Sequence, residues 1–136
     1  MMISPTGKGL RQPDDFGEGH YGAPRSGGRK HEGVDFACIP GQDIIAPATL
    51  DIVRISKPYA DSHYSGLLMH HPYFDVFLWY FEPIKSLVGS RVLQGEVIGK
   101  AQDISERYNT DERHMNPHIH LGIPCIDPMW FMILTY

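Results

Sequence analysis

The chain has 136 residues, 42% of them hydrophobic, and its 12 basic and 16 acidic side chains give a formal charge of -4. That length suits one domain around one core and is too short for two ordinary domains. A pI near 6.0 with no basic stripe argues against a phosphate-backbone ligand, so no nucleic-acid partner is expected.

Met1 to Lys30 is dense in Gly, Pro and charge, which predicts irregular backbone wrapped over a core rather than a helix. Residues 1–16 read as an N-terminal extension and 17–136 as the single domain. No charged-then-apolar leader of signal-peptide form opens the sequence. Loops beside sites commonly carry binding groups, so this one is expected to wall a groove and present Tyr21 and Arg25 to a substrate. The other reading is a poorly ordered leader, and under either reading His20 is a surface histidine.

From His31 the alternation of Val34 and Phe36 announces a strand, which Ile39-Pro40-Gly41 ends with turn chemistry. His31 falls in the loop and Asp35 on the strand it enters, because Gly28 and Gly33 would weaken a helix there by about 1 kcal/mol each. For the same reason His31-Glu32 does not begin a zincin helix: the fifth position is Asp, and Glu32 reads as solvated.

Asp43 to Ser56, Gly66 to Phe81 and Arg91 to Lys100 are β-rich in residue type and bounded by Pro or Gly, with no long 3.6-residue apolar pattern. The fold class expected is all-β. Pro72 marks a hairpin turn with His70 and His71 beside it, since proline cannot donate within a central ladder. Ala101 to Pro117 is polar and reads as a loop with one helical turn near Ser105.

The loop leads into His118-Ile119-His120. In a strand His118, His120 and Gly122 share one face, and Ile119, Leu121 and Ile123 form an apolar floor on the other. Two histidines and one carboxylate, with His31 and Asp35 four apart, are ligand types that zinc accepts, and one imidazole is left for proton chemistry. The same set also suits the facial triad of non-haem iron oxygenases. The apolar end, Met129 to Tyr136, is expected to pack on the core as a last strand or helix, or, if exposed, to mark a partner surface. Its longest apolar run is far below the roughly 20 residues of a membrane span, so no span is expected. Cys38 and Cys125 are too few for a disulfide framework.

Read together, His31-x-Gly33-x-Asp35-Phe36, Ile45-Ala46-Pro47 with Val53, Gly89-x-x-Val92-x-x-Gly95-x-x-Ile98-Gly99 and His118-x-His120 resemble the lysostaphin/LytM-type zinc metallopeptidases that cut peptidoglycan peptides. The resemblance runs from about Gly17 to Ile123. It implies a compact antiparallel β-sheet domain of the duplicated-hybrid-motif architecture with a groove between loops. It also implies one Zn2+ per chain on His31, Asp35 and His120, with a zinc-bound water as nucleophile and His118 as general base. The glycine and apolar motifs have no role in the iron reading, which fares worse.

Active members of that family carry a second histidine in a Tyr-x-His-Leu stretch. Aligning Val76 to Pro83 with it puts Phe81 at that position, where a phenyl ring cannot donate to an oxyanion. His63, His70, His71, His114 and Tyr80 are the candidates to substitute, so the expected groove is Tyr21, Arg25, Tyr80, Phe81 and His114. Trp79-Tyr80-Phe81-Glu82-Pro83-Ile84-Lys85 and Lys57-Pro58-Tyr59 are also similar to the non-peptidase leukocyte cell-derived chemotaxin branch of the fold. Two functions follow from the resemblance. One is a metalloendopeptidase acting on peptidoglycan cross-links at the bacterial envelope, delivered within a virion, a phage tail or a similar assembly, or secreted. The other is a zinc-holding binding or structural module that has lost turnover.

Overall fold

A computed structural model describes residues 1–133. In chain order the strands are β1 (Val34–Ala37), β2 (Asp43–Ile45), β3 (Leu50–Ile55), β4 (Gly66–His71), β5 (Phe74–Trp79), β6 (Phe81–Pro83), β7 (Arg91–Val92), β8 (Val97–Ala101) and β9 (His118–Gly122). A single helical turn, α1 (Ser105–Tyr108), interrupts the loop between β8 and β9, where a turn near Ser105 is predicted. Six strands form one antiparallel sheet in the order β1-β9-β5-β4-β3-β7, and β2-β8-β6 form a second of three. The all-β expectation is met.

Alternation explains how each strand turns. On β4 and β5, Leu67, Met69, Val76 and Leu78 are fully buried, while Phe77 and Trp79 lie half-buried on the opposite face. His71 pairs with Phe74 across Pro72-Tyr73, so the proline sits in a tight hairpin where no ladder hydrogen bond is lost. On β9, Ile119 and Leu121 enter the core between the sheets, which leaves His118 and His120 on the other face.

Residues 1–16 are built into the domain. Met2 bridges Met132 in parallel and is buried, and Leu10 bridges Phe36. The Arg11 amide donates to the Asp35 carbonyl (2.7 Å), and the Ala37 amide donates to the Gly9 carbonyl (2.9 Å). The extension thereby covers the free edge of β1, which would otherwise present unpaired backbone groups. At the other end Pro128–Phe131 form a short 3-10 turn with Met132 buried and Trp130 exposed. The last part of the apolar end, 134–136, lies outside the described residues.

One of the crossings between the two sheets is a single residue long. β5 ends at Trp79 and β6 begins at Phe81, and Tyr80 between them has φ of 81°. Strict alternation would put Phe81 on the same face as Trp79. A left-handed residue breaks that alternation, so Tyr80 stays on the face of His118 and Phe81 turns into the core. Phe81 is fully buried, and its ring occupies space that a side chain at Gly99 would need, with Cδ2 only 2.6 Å from where a Cβ would stand. The placement of Phe81 at the groove is therefore corrected: the residue that faces the site is Tyr80, one position upstream.

Two outcomes test this. Phe81→Ala should cost about 3–5 kcal/mol in urea unfolding, the usual loss for a buried phenyl ring. Phe81→His should destabilise as well, by burying a polar ring without a partner, and should not raise any catalytic rate. A stable Phe81→His protein would place residue 81 outside the core.

Candidate metal centre

The site is assembled by the pairing of β1 with β9. Asp35 stands directly opposite His120, and Ala37 opposite His118, so the carboxylate and both imidazoles share one face. Gly33 makes the approach possible, because a Cβ there would lie 2.7 Å from His120 Nε2. His31 reaches the same point from the preceding loop, held by hydrogen bonds from its amide to the Ala23 carbonyl (2.9 Å) and from the Gly22 amide to its own carbonyl (2.8 Å).

Three ligand atoms converge. His31 Nε2 lies 3.1 Å from Asp35 Oδ1, His120 Nδ1 lies 3.0 Å from the same oxygen, and the two nitrogens are 3.1 Å apart. A tetrahedral zinc with bonds near 2.0–2.1 Å spaces its ligands about 3.3–3.4 Å apart, so opening each side by a few tenths of an ångström separates this triangle from a metal-holding one. Among the described residues this His-Asp-His set is the group able to hold a metal.

The donor chemistry fits as well. His31 directs Nδ1 at the His20 carbonyl (3.0 Å), so the proton sits there and Nε2 keeps its lone pair. His118 does the same with the Asn116 carbonyl (2.9 Å), and its free Nε2 faces Asp35 Oδ2 at 3.6 Å. Burial pushes the His118 imidazole below its usual range against the pull of the Asp35 charge. Burial alone would raise the Asp35 carboxyl, but the imidazoles of His118, His120 and His31 outweigh it and hold the group well below the usual carboxylate range.

Asp35 is also held from behind. The Arg11 Nε donates to Oδ2 at 3.3 Å, while its Nη1 donates to Asp14 (2.5 Å) and the Gly17 carbonyl, and Nη2 to the Glu18 carbonyl. Arg25 adds a guanidinium 3.8 Å from the same oxygen. Oδ2 is thus tied back while Oδ1 points at the imidazoles, an arrangement suited to a ligand bound through one oxygen.

The three donors lie at the floor of a groove of about 990 Å³ whose walls include Arg25, Tyr59, Tyr80, Tyr108 and Arg113. A second, mostly apolar pocket of about 410 Å³ adjoins it at His120, lined by Tyr21, Phe77, Trp79, Ile123 and Pro124. Trp79, opposite His120 in the β5–β9 register, stacks on its ring at 5.3 Å. Of the residues expected at the groove, Arg25 and Tyr80 line it and Tyr21 lines the adjoining pocket, whereas His114 does not. His114 is exposed, and its backbone amide and carbonyl bond to Asp15 while its neighbours Arg113 and Met115 face the groove. Sequence reasoning missed Arg11, Trp79, Tyr59 and Tyr108. Only the aromatic density around residues 59 and 79 hints at Tyr59 and Trp79, and nothing in the sequence points to Tyr108 or pairs Arg11 with Asp35.

Leukocyte cell-derived chemotaxin-2 from Bos taurus is 30% identical to this chain over 109 residues, spanning 79% of the chain and 70% of the chemotaxin. The chain belongs to the leukocyte cell-derived chemotaxin-2 family. The fold of this chemotaxin relative is that of lysostaphin-type peptidase domains, in agreement with the resemblance in its motifs. The catalytic domain of lysostaphin from Staphylococcus simulans superposes with a TM-score of 0.58 at 22% identity, covering 85% of this chain and 89% of that domain. The catalytic domain of a prophage-encoded M23 protein, EnpA, from Enterococcus faecalis superposes with a TM-score of 0.56 at 17% identity, covering 91% and 95%. No protein-family model matches the sequence.

Chelator competition measures the zinc grip. Asp35→Ala should abolish stoichiometric zinc, leaving two protein ligands. Arg11→Lys, which keeps a charge but loses the Nε donor, should weaken zinc by about 10- to 100-fold, the usual effect of removing a partner of a ligand. Equal affinity in wild type and Arg11→Lys would mean that the β1–β9 pairing alone fixes the carboxylate.

Proposed function

We propose that this chain is a zinc-dependent endopeptidase that cleaves peptide cross-links of peptidoglycan. The observation that carries the reading is the triangle of His31 Nε2, Asp35 Oδ1 and His120 Nδ1, on the floor of an open groove with the free Nε2 of His118 beside it. Bound there, zinc would supply Lewis acidity toward the scissile carbonyl and bring the pKa of a water to about 7.

The chain's own residues do the rest. His118 keeps Nε2 unprotonated through its bond to Asn116, so it accepts the proton of the attacking water and returns it to the leaving amine. Arg11 holds Asp35 in place while charge moves in front of it. The groove runs past Arg25 and Arg113, which suits a peptide carrying carboxylates, and the pocket of Phe77, Trp79 and Ile123 takes an apolar group beside His120. The fold shared with the antimicrobial peptidase lysostaphin supports peptide bonds as substrate and the bacterial envelope as place of action. The finer version of the reading is delivery within a virion or similar assembly; the neighbour EnpA is itself prophage-encoded.

A second reading is favoured by the 30% identity to a protein named for chemotaxis: a module that holds zinc and binds a partner without turnover. Incubating zinc-loaded protein with purified peptidoglycan and counting new amino termini separates the two. Cleavage that falls by about 100- to 10,000-fold in His118→Ala with zinc retained is the expected result. Tight zinc with no new termini from wild type would favour the holding module.

A further inference from the structure

Tyr80 occupies the residue between the two sheets, in a left-handed conformation that glycine would adopt without steric conflict. Both of its backbone groups are held, the amide by the Ser65 carbonyl (2.7 Å) and the carbonyl by the Gln102 amide (2.9 Å). The conformation delivers the ring to the metal centre. It stands edge-on to His118 at 5.5 Å and 85°, and its centroid is 6.4 Å from that of His120. Strained residues of this kind gather where a side chain has to be aimed.

The hydroxyl end is organised too. Tyr59 lies parallel to Tyr80 at 6.5 Å, and the Tyr59 hydroxyl is paired with that of Tyr108. The Arg107 guanidinium sits 3.8 Å over the Tyr59 ring. All three tyrosines line the groove with His118 and His120. Burial keeps the Tyr80 phenol protonated well above neutral pH, so it remains a donor. Peptide hydrolysis puts negative charge on the carbonyl oxygen, and a donor fixed in place beforehand is the usual means of stabilising it.

We propose that Tyr80 is a catalytic residue whose O–H donates to the scissile carbonyl oxygen as that oxygen becomes negative, with Tyr59 and Tyr108 as positioning residues. The inference rests on the peptidase reading. Water oxygen bonds to the carbonyl carbon, its proton passes to His118 Nε2, and the carbonyl π pair moves onto the oxygen facing Tyr80. When that pair returns, the carbon–nitrogen bond breaks, the amine takes the proton from His118, and Tyr80 keeps its own proton throughout.

The test uses the full-length zinc-loaded chain as wild type, Tyr80→Phe and Tyr59→Phe, with matched zinc content and thermal midpoint. Phosphinic isosteres of tetraglycine and of a D-alanyl-linked peptide mimic the tetrahedral stage, and calorimetry compares them with the ordinary peptides. Tyr80→Phe should bind a phosphinate about 10- to 100-fold more weakly and the peptide equally well, and kcat should fall about 100- to 1000-fold with KM unchanged. Tyr59→Phe should show a smaller loss in the same direction. Equal phosphinate affinity in wild type and Tyr80→Phe, alongside normal cleavage by both, overturns the role of Tyr80 and leaves the peptidase reading standing. No cleavage by wild type, with phosphinate preference lost in Tyr80→Phe, overturns the peptidase reading and with it catalysis by Tyr80, leaving Tyr80 a ligand-binding donor only. A wild type that binds neither phosphinate overturns the proposal outright.

Discussion

The centre depends on one backbone register, the antiparallel pairing of β1 with β9 that sets Asp35 across from His120. A slip of one residue would turn Asp35 into the apolar layer and bring Phe36 to the imidazoles, because side chains in a strand alternate with period two. The register is enforced from both faces. Val34, Phe36, Ile119 and Leu121 are fully buried on one side, and the Gly33 backbone packs against the His120 ring on the other. The forces that fill the core therefore also fix the spacing of the donors.

The N-terminal segment contributes a different kind of constraint. Its backbone pairs along the outer edge of β1, and Arg11 enters beneath Asp35 with a side chain only 2% exposed. A buried guanidinium beside a buried carboxylate is costly to desolvate and tolerable only when both are well bonded. Here Arg11 also satisfies Asp14 and two carbonyls, and Asp35 is met by histidines as well. The cluster is rigid because separating any pair would strand a buried charge.

Much of this was legible in the sequence. Strand periodicity gave the all-β class, and the proline at 72 and the polar run before His118 marked the hairpin and the loop that the structure contains. The His-x-Gly-x-Asp and His-x-His spacings named side chains that the fold brings together, since both are local patterns whose geometry is set by a strand. Two things were not legible. Alternation could not foresee that Tyr80 takes a positive φ, because the cause is a jump between sheets that rests on distant partners, Ser65 and Gln102. The pairing of Arg11 with Asp35 likewise spans 24 residues of irregular chain and has no periodic signal.

The placing of the donors also bears on what kind of metal site this is. A site that only holds zinc is normally closed by four protein ligands, whereas one that performs chemistry keeps a side open. Here three donors form one triangle backed by Arg11, and the opposite side faces a groove rather than a fourth side chain at ligand distance. His118 lies close enough to be that fourth group, yet its Nε2 is directed at the oxygen of Asp35 that Arg11 already holds. Its proton is fixed on the far nitrogen by Asn116. An imidazole held with its lone pair beside an open face, and not within the triangle, is the feature on which the proposed proton transfer rests.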